Sequence, residues 1–168
     1  MAKKEDSREM RRINYFGKDL SVEEYVKKEI CKNAGTQSIA FKNQLIYLCD
    51  SLGIDYIKSM GKDELFELLI NNGCEYKQLA EKFGVGVSSQ MYQRSFKISH
   101  QDIKRLEKHG ALKKVGEYRF RAYGRYNYAP LYDIYQYALM SDSDMHELLK
   151  KYPKGKKLNK LECEEGIR

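Results

Sequence analysis

The sequence predicts a mainly α protein with a small β-hairpin, in which an N-terminal helical module is followed by a second, more basic helical core. Three observations predict it. Apolar residues recur at three- and four-residue spacing through most of the chain, the period that lines one face of a helix. Ser-x-x-Glu and Ser-x-x-Asp boxes open such stretches, as at Ser21 with Glu24 and Ser99 with Asp102, while Gly53, Gly73, Gly84 and Gly110 close them. One stretch, from Tyr118, alternates instead with the period of two that a strand requires.

The 168 residues suffice for one domain of ordinary size or two small ones. They divide as 1–18, an arm of mixed charge; 19–73, the helical module; 74–140, the core; and 141–168, a short helix with a lysine-rich tail. Thirty-one Lys and Arg against twenty-four Asp and Glu leave a net charge of +7. That balance favours a polyanionic partner, because neutralising phosphates supplies most sequence-independent affinity for nucleic acid. No apolar run is long enough to span a bilayer and the first residues lack a secretory apolar core, so a cytoplasmic location without a membrane partner is expected. Cys31, Cys49, Cys74 and Cys163 have no metal-ligand spacing and read as buried free thiols; neither metal nor cofactor is expected.

In the arm, Arg8, Arg11 and Arg12 can track a phosphate backbone, or the segment is a plain solvated tail. The first helix starts at the Ser21–Glu24 box, with Leu20 and Tyr25 placed to staple it. Val22, Tyr25, Val26 and Ile30 then form a face that must dock, on the core or on a second copy, so a homodimer stays open. Ser38 can cap a helix through Leu52 whose apolar surface includes Phe41, Leu45 and Cys49. After an extended link comes a helix over 62–72 carrying Leu65, Phe66, Leu68 and Leu69.

Residues 76–96 hold a helix, a glycine reversal and a second helix. Leu79 and Ala80 face inward, Gly84 takes a positive φ, and Val85 and Val87 plug the corner. Ser88 or Ser89 caps the helix 89–96, where Met91 and Phe96 point inward and Gln90, Gln93 and Arg94 outward. Glutamine and arginine suit base edges because each can make two parallel hydrogen bonds. The helix over 100–109 buries Ile103 and Leu106 and offers Gln101, Lys104, Arg105 and Lys108 outward. In the hairpin that follows, Tyr118, Phe120 and Ala122 share a packing face and Arg119, Arg121 and Tyr123 a basic one, with Gly116 and Gly124 both possible turn points. Pro130 fits the first position of a helix lined by Leu131, Ile134, Tyr135 and Ala138. Ser141 and its acidic neighbours cap a last helix over 145–152, ended by Pro153.

Asp102-Ile-Lys-Arg-Leu-Glu-Lys-His-Gly-Ala-Leu-Lys-Lys-Val-Gly116 resembles the junction between recognition helix and wing in bacterial winged helix-turn-helix regulators, and the resemblance extends over 76–128. It implies an N-terminal helical module followed by a winged helix-turn-helix core that binds double-stranded DNA. The stretch from Gly84 to Ser99 is longer than that family's usual turn, so helices 89–96 and 100–109 both remain candidates for the groove. Residues 38–73 resemble the helix–extended-loop–helix of SAP and LEM modules. SAP-like contacts would fall on Lys58, Ser59, Gly61 and Lys62, whereas LEM-type modules bind protein.

The expected DNA contacts are thus Ser89, Gln90, Gln93 and Arg94, or Gln101, Lys104 and Arg105, with Arg119, Arg121, Tyr123, Arg125 and Tyr126 on the hairpin; Lys58, Ser59 and Lys62 are possible secondary phosphate contacts. Catalysis is not expected: there is no phosphate-cradling loop, and His100, His109 and His146 have no partner at ligand spacing. The leading expectation is a small DNA-binding transcription regulator of a bacterium, phage or mobile element. The alternative is an inhibitor or adaptor that binds a protein or ribonucleoprotein on the same scaffold.

Overall fold

A computed structural model describes residues 10–35 and 38–155; Arg8, Cys163 and the tail from 156 onward lie outside the described residues. The chain begins with a hairpin of β1 (Ile13–Tyr15) and β2 (Lys18–Leu20), followed by α1 (Val22–Cys31), α2 (Lys42–Ser51) and α3 (Lys62–Asn71). Then come α4 (Tyr76–Phe83), β3 (Gly86–Ser88), α5 (Ser89–Phe96) and α6 (His100–Lys108). A long hairpin of β4 (Lys114–Ala122) and β5 (Arg125–Asp133) leads into α7 (Ile134–Leu139) and α8 (Asp142–Lys151). The fold is therefore mixed α and β rather than mainly α with one hairpin. Its larger sheet is antiparallel, in the order β3-β5-β4.

Several boundaries follow from local chemistry. Ser21, Ser99 and Ser141 each accept the backbone N–H three residues on, and the acid there accepts the serine's own N–H, completing a box at α1, α6 and α8. Gly84 ends α4 at φ +67 and hands the chain to β3. There Gly86 lies so close to β5 that an added Cβ would stand 2.6 Å from the Tyr132 carbonyl oxygen. Only glycine fits a backbone approach of that kind.

Four expectations are corrected. Residues 13–18 of the flexible arm expected over 1–18 are ordered in a hairpin that runs on to Leu20: Phe16 and Gly17, both at positive φ, form a two-residue turn that pairs Tyr15 with Lys18 and buries Ile13. Ser38 does not cap α2, which starts at Lys42; its hydroxyl instead accepts from the Ala34 N–H. Pro130 lies in β5 opposite Glu117, one residue before the stretch that β3 covers, and the helix begins only at Ile134. The helix expected over 145–152 starts earlier, at Asp142, directly after its Ser141 cap.

One apolar core runs through both halves. Val26, Ile30, Leu65, Phe66 and Leu69 from the N-terminal helices join Leu79, Val87, Ile103, Leu106 and Tyr132. Tyr25 of α1 donates to the Gly86 carbonyl at 2.7 Å, a buried bond from the module into β3. Tyr92, Phe96, Tyr132 and Tyr137 form an aromatic cluster behind α5. Tyr92, rather than Met91 or Phe96, is the side chain that α5 buries completely.

Candidate nucleic-acid interface

The segment 88–132 carries ten Lys and Arg against three Asp and Glu, a surplus equal to the +7 of the whole chain. Its three acids are all engaged. Asp102 closes the α6 cap and holds Arg105 at 2.9 Å, Glu107 accepts from the Tyr132 hydroxyl at 2.6 Å, and Glu117 pairs with Lys114 at 2.9 Å. Arg94, Lys97, Lys104, Lys108, Lys113, Arg121 and Arg125 are exposed, and none has a carboxylate within ion-pair distance among the described residues.

Two features set α6 and the hairpin in a fixed relation. Gln136 of α7 accepts from the Lys113 N–H at 2.8 Å and donates to the Ala111 carbonyl at 2.7 Å, clipping the link between them. Asp133 N–H donates to the Lys113 carbonyl at 2.9 Å, and the Tyr132–Glu107 bond ties β5 to α6 from the other side. Burial and the Glu107 carboxylate both raise the Tyr132 phenol, so it stays a neutral donor.

The two candidate helices differ in what they present. Helices α5 and α6 pack together across a three-residue turn, Lys97 to Ser99, in which Lys97 takes φ +54. Gln90 and Arg94 of α5 are exposed, but Gln93 is half-buried and donates to Ser89 at 3.1 Å, and Ser89 also bonds His100 at 3.0 Å. Ser89 and Gln93 thus serve the joint between the helices. On α6, Gln101, Lys104 and Lys108 are exposed. Arg105 departs from the outward placement expected of it: its guanidinium spans Asp102 and the Tyr152 carbonyl, the latter at 2.8 Å, and is half-buried.

The hairpin turns at Tyr123-Gly124, both at positive φ, with Ala122 opposite Arg125. Gly116 marks a bulge, not the turn. Directly opposed residues share a face, so Arg119 with Tyr128 and Arg121 with Tyr126 make one ladder. The Arg119 and Arg121 guanidinium carbons sit over the Tyr126 ring at 4.4 and 5.4 Å. Arg125 falls on the opposite face beside Phe120, apart from the other two arginines. Tyr118 and Phe120, expected to pack, remain exposed because the outer hairpin projects beyond the core. Tyr128, not singled out by the sequence, is 62% exposed and completes the ladder; alternation from Arg119 across the true turn would have found it.

The remaining expected contacts lie elsewhere. Lys58 and Ser59 are exposed on the α2–α3 link, whereas Lys62 turns inward to cap α1, donating to the Lys32 carbonyl at 2.8 Å, and burial lowers its pKa. Arg11 is drawn into the body too, over the Phe96 ring at 4.3 Å and onto the Met140 carbonyl, and Arg12 pairs with Asp19 at 2.7 Å. Burial, then the Asp63 carboxylate, pushes the Cys31 thiol up to about 12, and Cys49 is wholly buried. No group of side chains suited to a metal ion occurs, and no helix is long and apolar enough to cross a membrane, among the described residues. The chain matches no family model, no curated protein and no solved structure.

Proposed function

We propose that this chain binds double-stranded DNA as a winged helix-turn-helix regulator, with α6 entering the major groove and the β4–β5 hairpin as the wing. The carrying observation is the unneutralised positive surplus of 88–132, concentrated on α5, α6 and the hairpin while the three acids of that segment are occupied internally. The element order α4, β3, α5, α6, β4, β5 and the strand order β3-β5-β4 support the same reading, since a winged helix places its wing directly after the groove-entering helix. Of the two candidates, α6 is the better because it is the second helix of the α5–α6 pair, the position from which such motifs read the groove. Gln101 and Lys104 would then meet base edges. Arg94, Lys108, Arg119 and Arg121 would meet phosphates, with Gln90 at the margin. Arg105 would act through its bond to Asp102, as a strut.

A salt titration tests it. Affinity for a random duplex should fall steeply with salt, with a log–log slope of about −0.9 per phosphate neutralised. Arg119→Ala with Arg121→Ala should flatten that slope by about two contacts, whereas Gln101→Ala should cost roughly 1–3 kcal/mol at a preferred site only. Affinity that does not change with salt, or no duplex binding at low salt, would sink the proposal. The second reading, a protein-binding adaptor or inhibitor, draws on Tyr47, Leu52 and Ile57, large apolar side chains each exposed on α2 or the link after it. It predicts duplex-independent capture through that surface, abolished by Tyr47→Asp and untouched by the arginine changes.

A further inference from the structure

Phosphate binding accounts for the arginines of the hairpin but not for its rings. Residues 118–128 hold three Arg, four Tyr and one Phe with no carboxylate. Tyr123, Tyr126 and Tyr128 are 99%, 52% and 62% exposed. In a duplex each base shows only its edge, because neighbouring pairs cover its faces. Rings set out along a strand therefore find nothing to stack on there, and an arginine alone would serve a phosphate. Unpaired bases offer both faces, and aromatic side chains interleaved with cations are the usual platform for single strands.

The arrangement is graded along the hairpin. Tyr123 stands at the tip with φ +54, a conformation that a bulky L-residue adopts at a cost and that Asn or Gly would take more readily. Being 99% exposed, its ring returns almost nothing to the fold. Next inward, Tyr126 is held by the two guanidinium groups over it, which fixes the ring. The inner end, Arg119 and Tyr128, opens into a cleft of about 390 Å³ shared with Ile39, Phe83 and Leu131 and with Glu117, whose carboxylate is paired with Lys114. From Arg119 to Tyr123 the platform spans about 13 Å at the strand's rise.

We propose that this ladder binds an unpaired strand, so that the molecule recognises a duplex at its boundary with a single-stranded tail. The inference rests on the duplex reading above for α6 and adds the ligand of the hairpin. The substrate class is then a tailed or locally opened duplex rather than a continuous one.

The test measures the full chain by fluorescence anisotropy against three probes at one salt concentration. These are a blunt random duplex, the same duplex with a tail of about ten thymidines, and a thymidine oligomer. Stacking at two or three rings should favour the tailed over the blunt duplex by roughly tenfold or more. Tyr126→Ala with Tyr128→Ala should bring that ratio to about one, while Tyr126→Phe with Tyr128→Phe keeps it. Tyr123→Asn should lower the ratio and raise the melting temperature, separating loss of the ring from loss of fold. Because the chain lacks Trp, thymidine should also quench its tyrosine emission, and less so in the double Ala variant. Equal affinity for blunt and tailed duplexes overturns the inference and leaves the duplex reading standing, as does a ratio that survives the Ala changes. Oligomer binding without any duplex binding overturns the duplex reading and with it the duplex boundary, leaving a single-strand site alone, and failure of all three probes ends both.

Discussion

At the scale of single residues, the carboxylates of Glu24, Glu64, Asp102, Asp133 and Asp144 each close the start of a helix. Asp102 is the clearest: burial pushes its pKa up, but the Ser99 N–H and the Arg105 guanidinium outweigh that and hold it below the ordinary aspartate value. A carboxyl with a depressed pKa in the folded state adds stability above its unfolded pKa and loses it as the pH falls through the folded value. Asp102→Asn should therefore destabilise by about 1 kcal/mol at neutral pH, where the cap and the Arg105 pair are both weakened. In urea titrations the gap between variant and parent should close as the pH drops below 3.8; a gap constant with pH would show that the charge of Asp102 contributes nothing. The same residues were legible in the sequence, because a Ser-x-x-Asp box is local chemistry. That Arg105 would be consumed by this cap was not legible, since its second partner, the Tyr152 carbonyl, lies 47 residues away.

Among elements, β3 shows where local reading stops. Val85-Gly-Val-Ser88 is a plausible corner on its own, and its three-residue strand exists only because β5 pairs with it. Pro130 misleads for the same reason: it is a good first helical residue, yet cross-strand pairing to Glu117 wins over that preference. By contrast α1, α5 and α6, whose serine caps are written into consecutive residues, begin where the sequence puts them, whereas α2, α7 and α8 start three or four residues away. The pairing makes a sharp prediction at Gly86. Its φ needs no glycine, but a methyl group there would meet the Tyr132 oxygen at 2.6 Å and the Val115 and Leu131 side chains at 3.0 Å. Gly86→Ala should cost roughly 1–3 kcal/mol through forced separation of β3 from β5. A variant that melts with the parent would mean that this strand pair is looser than its geometry.

Taken whole, the molecule joins its N-terminal helices to the basic core through buried contacts, not a linker. The Tyr25 hydroxyl on the Gly86 carbonyl is the most specific of these, and burial raises its pKa so far that it remains protonated throughout the working range. Tyr25→Phe leaves that carbonyl without its donor, at about 1–2 kcal/mol. Amide exchange should then quicken together in α1 and β3; faster exchange confined to α1 would show that the halves open independently. The candidate interface was half legible: the basic hairpin and exposed α6 face follow from composition and period. The ladder was not, because which tyrosines oppose which arginines depends on a turn that either Gly116 or Gly124 could have made.

The clip that Gln136 places on residues 111 and 113 has a mechanical corollary. On the proposed duplex reading, a helix and hairpin clipped in this way would act as a caliper whose jaws are set at one opening. Whatever it grips must present its two handholds at that separation. Moving them apart by a base pair or two should abolish the grip in a single step, where a hinged tool would loosen by degrees.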